Sequence, residues 1–142
     1  MKNIIGVPKR TKKSKKKSKK KKLKIGMVQV IFNRWIRNRD SVDGYFTCIS
    51  CEKFLSINQM NAGHYIHASR TQFLRFNEEN VWGECIFCNN YNPSHLLGYR
   101  RNLIEKIGID KVLEFEYHDK HRTMKKWTQQ ELQEIKDKYT LR

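Results

Sequence analysis

Apolar positions follow a helical period only after the first two dozen residues. From residue 26 the pattern is regular: Val28, Ile31, Phe32 and Trp35 fall at i, i+3, i+4 and i+7, one face of a helix, while Arg34, Arg37 and Asn38 lie toward the other side. Asp40, Ser41, Asp43 and Gly44 predict a turn. Residues 45–47 (YFT) read as a short strand leading into Cys48, and residues 52–61 as a polar connection. Residues 62–66 (AGHYI) predict a strand carrying His64, followed by a loop through Ser69 and Arg70 to Asn80. A short helix is predicted from near Cys85 to near Pro93, whose ring stops it. A longer one follows His95, with Leu96, Tyr99, Leu103 and Ile107 on one face and Gly108 closing it. Two more are predicted near 109–117 and 128–139, the second with Thr128 as N-cap and Glu131 at the capping-box position.

Short strands among helices predict an α+β domain over residues 26–142. Residues 1–25 are low in complexity and are predicted to be disordered, because nothing there can bury apolar area. The whole chain has 142 residues, 38% hydrophobic and 31% charged. That is lean for a core and suggests an internal staple. The formal net charge of +16 is unevenly spread: residues 1–25 hold 13 of the 30 Lys and Arg and no acid, leaving the remainder at only +3. A basic arm on a nearly balanced domain suits a polyanion such as nucleic acid, through salt-dependent, sequence-blind contacts to phosphates. Lys12, Lys13, Lys15, Lys16 and Lys17 are its candidate contact residues. The alternative is a solvated tail, or a targeting or ribosome-type extension.

No segment approaches the roughly 18 apolar residues that span a membrane, and the lysine run has no apolar stretch behind it as a secretory signal would. A reducing cytoplasm is therefore expected. There the four cysteines read better as metal ligands than as disulfides.

Cys48-Ile-Ser-Cys51 and Cys85-Ile-Phe-Cys88 are two CxxC knuckles separated by the 33 positions 52–84. Two pairs of thiolates suit tetrahedral zinc; a redox dithiol explains one pair but not two. The expected shape is a treble clef: a knuckle, a β-hairpin and a second knuckle opening a helix. Zinc alone makes this a fold and not a function.

Further polar residues lie between and beside the knuckles in the order His64, Asn80, Asn89, His95. This is the order of an HNH, or ββα-metal, nuclease. Phosphodiester hydrolysis needs a base to activate water, and neutral histidine serves near pH 7. It also needs a hard divalent cation to stabilise charge on the phosphate and leaving oxygen. Oxygen ligands suit Mg²⁺, and a His–Asn mixture also suits Mn²⁺ or Zn²⁺.

The run GHYIHASRTQFLRFNEENVWGECIFCN, followed by Tyr99 and Ile107-Gly108, resembles the phage NinG/Rap recombination nucleases. So do Trp35-Ile36-Arg37-Asn38-Arg39-Asp40 and Cys48–Cys51 upstream. The resemblance covers about residues 28–108 and is most specific at Gly63-His64-Tyr65, Arg75-Phe76-Asn77-Glu78 and Cys85–Asn89. More distantly, Cys88-Asn89 is similar to the corresponding place in phage endonuclease VII, a junction resolvase. The resemblance implies a metal-dependent endonuclease acting on branched DNA such as Holliday junctions and D-loops, in the host-cell cytoplasm. His64 would be the general base and Asn80 the residue that orients the site. Asn89 would be a ligand of a catalytic Mg²⁺ or Mn²⁺, distinct from the structural zinc. Two departures stand out. Endonuclease VII-like sites carry an Asp before the histidine, where this chain has Gly63, so the second metal ligand is unidentified. His95 stands where the NinG pattern usually has Asn, and is a competent ligand.

Around this frame, Arg70 and Arg75 are candidates for the scissile phosphate, against ion pairing with Glu78 or Glu79. His67 reads as a surface or DNA-contact residue, or as a substitute base. His118 and His121 read as solvated, and Trp82 and Phe87 as core around the zinc. Arg100 and Arg101 extend the DNA surface or form an ordinary helix face. Symmetric cutting of a junction would favour a homodimer. The competing function is a non-catalytic zinc module that binds nucleic acid, which needs neither His64 nor Asn89.

Overall fold

The computed structural model describes residues 18–141. Lys12, Lys13, Lys15, Lys16 and Lys17 lie outside the described residues. Helix α1 (Ile25–Arg39) buries Val28, Phe32 and Ile36, with Ile31 and Trp35 half-buried beside them. Its buried centre is thus an i, i+4, i+8 line, one position round from the predicted face. The chain is already tied down before α1. The Leu23 N–H donates to Gln129 Oε1 at 2.8 Å, and Gln129 Nε2 donates to the Leu23 carbonyl at 3.0 Å.

Two antiparallel hairpins follow. Strand β1 (Tyr45–Thr47) pairs with β2 (Phe54–Ser56), and β3 (Met60–His64) pairs with β4 (Val81–Cys85). The predicted polar connection at 52–61 is therefore wrong in part, since it contains β2 and the start of β3. The knuckle turn reverses the chain, with the Glu52 N–H donating to the Cys48 carbonyl at 2.9 Å. Pairing across that turn, not burial, makes β2 a strand: Phe54 is 70% exposed. Strand β3 starts and ends two residues earlier than predicted. Strand β4 escaped the sequence pattern because four of its five residues are buried, so no alternation marks it.

Beyond β4 the predicted helices are present. They are α2 (Ile86–Tyr91), α3 (His95–Ile107), α4 (Ile109–His121) and α5 (Gln129–Tyr139). Gly108 ends α3 at φ 87°, and α4 runs on to His121, where Arg122 caps it in the left-handed region. Thr128 and Glu131 form the expected capping box on α5. Among the described residues, no helix is long and apolar enough to cross a membrane.

Three apolar clusters hold these parts together. Helices α1 and α5 close over Phe76 and Val81, with Phe32 and Trp35 edge-on to Tyr139 at ring separations of 4.8 and 5.0 Å. Tyr99 and Leu103 of α3 pack with Ile49, Leu74 and residues of α4. Phe46 and Met60 pack around the cysteines. Helix α3 also lies directly on the first knuckle. A Cβ at Gly98 would meet the Ser50 carbonyl oxygen at 2.1 Å, so only glycine allows this approach.

Candidate functional site

The first knuckle begins where β1 ends. The Cys48 N–H donates to the Lys53 carbonyl at 2.9 Å, closing a turn that aims both sulfurs one way. The second begins where β4 ends. Cys85 caps α2, its Sγ accepting the Cys88 N–H at 3.4 Å, while Cys48 Sγ accepts the Cys85 N–H at 3.2 Å. All four Sγ atoms lie within 4.8 Å of one another, and Cys51 and Cys85 are 3.9 Å apart. Four sulfurs at the usual Zn–S length would stand about 3.8 Å apart. The cluster is compatible with structural zinc. Burial pushes the Cys48 thiol up to about 11 and also raises that of Cys88. At Cys51 burial acts the same way, but hydrogen bonds led by the Lys53 backbone outweigh it and lower the pKa. Buried thiols of this kind become thiolates only with a cation to compensate them.

His64 is the last residue of β3. Its Nε2 lies 3.0 Å from the Arg75 carbonyl oxygen. A carbonyl only accepts, so Nε2 carries the proton and Nδ1 holds the free lone pair. Burial lowers the His64 pKa to about 4, with the charges of His67 and Arg75 adding to the effect and the bond to the Arg75 backbone opposing it. The imidazole is neutral at pH 7, in a single tautomer. His67 is exposed, its Nδ1 bound to Ser69, with its ring 6.2 Å from that of His64.

Asn80 is 0% exposed, and its side-chain hydrogen bonds go to Ile66 and Leu74 rather than to His64. It clamps the loop that follows His64. Its Oδ1 accepts from the Ile66 N–H at 2.9 Å, and its Nδ2 donates to the Ile66 and Leu74 carbonyls at 3.0 and 3.2 Å. Leu74 precedes Arg75, so Asn80 sets where the carbonyl that orients His64 stands. Asn80→Ala would orphan three buried backbone groups, a loss of roughly 3 kcal/mol. The expected fall in Tm is about 10 °C by thermal unfolding, and an unchanged Tm would refute the clamp.

The arginines differ from each other. Arg70 pairs with Asp119 at 2.7 Å, not with Glu78 or Glu79. Those acids are taken by Lys138 and Lys111. The Arg75 guanidinium has two neutral partners, Gln29 Oε1 at 2.8 Å and Gln72 Oε1 at 3.1 Å, and no carboxylate among the described residues. Arg100 is tied to Glu116, and Arg101 stands 3.5 Å from Glu52. Of two core expectations, one fails and one holds in part. Phe87 is 63% exposed, while Trp82 packs on the cluster of Tyr99 and Leu103, beneath Arg39 and Lys106, rather than against the cysteines. His121 is exposed as expected, whereas His118 is half-buried with Nδ1 on Thr123.

Asn89 directly follows Cys88 on α2 and is half-buried. His95 opens α3, with Nδ1 bonded to Glu84 Oε1. Glu84 is the residue that sequence reasoning missed: a 0% exposed acid in the middle of the site. Its one signal was a charge directly before Cys85. Among the described residues, only the four cysteines bring three or more Cys, His or acidic ligand atoms within 4.8 Å of one another. His64 and His95 are not joined in this way.

A profile of the family described as "Bacteriophage Lambda NinG protein" matches residues 7–142. Protein ninG of Salmonella phage P22 is 40% identical over 116 residues, covering 81% of this chain and 53% of that protein. Protein ninG of Escherichia phage lambda is 39% identical over 116 residues, with coverages of 81% and 53%. That of Escherichia phage 933W is also 39% identical, with coverages of 81% and 54%. The chain spans about half the length of these curated relatives. No solved structure matches it.

Proposed function

The chain belongs to the NinG family of bacteriophage proteins, and from that premise we propose that it is a metal-dependent DNA endonuclease acting on branched recombination intermediates. The observation that carries the proposal is His64: a neutral imidazole with Nε2 tied to the Arg75 carbonyl and Nδ1 free to take a proton. It stands at the end of β3, whose partner β4 runs into the second knuckle and α2, a strand–strand–helix order that supports reading an HNH finger within a zinc-stapled treble clef.

In this mechanism His64 Nδ1 removes a proton from the attacking water. Arg75, whose charge no carboxylate neutralises among the described residues, binds the scissile phosphate. Asn89, with His95 as a second candidate, would hold a hard divalent cation, Mg²⁺ or Mn²⁺, which would supply the charge stabilisation that the phosphate and leaving oxygen need. Asn80 acts at one remove, through the loop it clamps. Arg70 can exchange Asp119 for phosphate at the rim. The lysines at 12, 13, 15, 16 and 17 would grip duplex arms outside the site. Two chains acting together would cut both strands of a junction, in the cytoplasm of the host cell.

The test is nicking by zinc-loaded protein of a synthetic four-way junction and of a linear duplex of the same sequence, with Mg²⁺, Mn²⁺ or neither. The expected result is cation-dependent cutting with preference for the junction. Salt-sensitive binding with no cutting under either cation would replace the proposal with the non-catalytic zinc module.

A further inference from the structure

Glu84 is an ionisable side chain in a place where an unpaired charge would be costly. It lies in β4 with 0% exposure, and its two carboxylate oxygens are treated unequally. Oε1 accepts the Ser50 hydroxyl at 2.6 Å and contacts His95 Nδ1. Oε2 is buried and has no hydrogen-bond partner among the described residues. Most buried side-chain polar atoms have a hydrogen-bond partner, so an unpartnered one calls for an explanation.

The free oxygen points at a particular place. Gly63 pairs with Trp82 and Asn61 with Glu84, with the Ala62–Gly83 pair between them, so Gly63 and Glu84 are diagonal neighbours on one face of the hairpin. A Cβ built on Gly63 would stand 2.3 Å from Glu84 Oε2 and 2.8 Å from Glu84 Cβ. The Glu84 carboxylate therefore occupies the space where a side chain at position 63 would begin. Position 63 directly precedes His64, the proposed base, and it lacks an acid. Glycine there is the condition for a carboxylate arriving from the neighbouring strand.

We propose that Glu84 supplies the acidic ligand of the catalytic divalent cation, its free Oε2 standing in for a carboxylate at position 63. This rests on the endonuclease reading of the site. The other oxygen, Oε1, is held by Ser50 and His95 Nδ1, which fixes the carboxylate so that Oε2 is the free one. The carboxylate and the Asn89 amide offer the oxygen donors that suit Mg²⁺ or Mn²⁺ rather than softer ions. A cation also removes the anomaly of an unpaired buried oxygen.

The test uses zinc-loaded full-length protein without DNA, titrated with Mn²⁺ and followed by the spin-resonance signal of the free ion. Glu84→Gln keeps the shape and the contacts to Ser50 and His95. It is expected to weaken Mn²⁺ binding at least about tenfold with zinc content unchanged. The double variant Gly63→Asp/Glu84→Gly moves the carboxylate to the other strand and is expected to recover most of the affinity. In the unmodified protein, Mn²⁺ should bleach the backbone amide resonances of Gly63, Glu84 and His95 first, a readout that needs no variant to fold. Wild-type Mn²⁺ affinity in Glu84→Gln, bleaching centred elsewhere, or no Mn²⁺ binding by the unmodified protein would each overturn the proposal. The two readings fail separately. Mn²⁺ bound through Glu84 with no DNA cut sinks the nuclease and leaves this site. DNA cut by a protein whose Mn²⁺ affinity ignores Glu84→Gln sinks this site alone.

Discussion

His64→Ala removes DNA cleavage, by about 10²–10⁴-fold for the loss of a general base, while zinc content and DNA binding stay near wild type. The side chain is half-buried and its bond to Arg75 is a single one. Its removal leaves one carbonyl without a partner, a cost on the order of 1 kcal/mol, which a folded domain tolerates. The measurement pairs junction cutting with metal analysis and a binding isotherm. Retained cleavage removes His64 from the mechanism.

The same residue makes a prediction about pH. With the His64 pKa at about 4, the acid limb of kcat/KM should fall near pH 4 rather than near 6.5, the ordinary histidine value. Stability follows the same shift. Between pH 6.5 and 4 the unfolded chain takes up a proton that folded His64 refuses, so stability declines as pH falls through that window and is fully present above it.

If the four cysteines hold a structural zinc, losing it should cost more than any side-chain change outside the cluster. Structural zinc in finger peptides contributes about 10–16 kcal/mol at pH 7, against a total stability of about 5–15 kcal/mol for ordinary domains. Cys88→Ser leaves three thiolates and a hydroxyl around a site whose sulfurs all lie within 4.8 Å. Both hairpins then lose their common fastening, since β1 leads into one knuckle and β4 into the other. The expected outcome is loss of the cooperative thermal transition, with part of the helical circular dichroism surviving where α1 and α5 pack on each other. Chelation of the wild-type protein should give the same spectrum. A folded Cys88→Ser protein with an unchanged Tm would show that the cluster is not a staple.

The helices were legible in the sequence because their signals are local. Tyr99 and Leu103 mark a face four residues apart, Gly108 a stop, and Thr128 with Glu131 a start. Strands β2 and β4 were not legible, because pairing across a turn or burial on both faces leaves no period to read. The site divides in the same way. The cysteines announced themselves by spacing, and His64, Asn80 and Asn89 by their resemblance to known motifs. Glu84 did not, because its partners Ser50 and His95 lie 34 and 11 residues away. Arg70 likewise gave no hint of Asp119, 49 residues on. Long-range polar pairing sets these roles, and no window along the chain contains it.

Ser50 lies inside the first knuckle, donates its hydroxyl to Glu84, and presents its carbonyl to the bare backbone of α3 at Gly98. If zinc closes the knuckles, an assembly order follows: a newly made chain with unmetallated thiols would lack a fixed Ser50, and with it the seat for α3 and the partner that settles Glu84. Under the proposed reading, such a chain is inert toward the host's DNA until the knuckles close. Cutting competence would then be acquired last, and any oxidant that captures the thiols first would leave a protein that never arms.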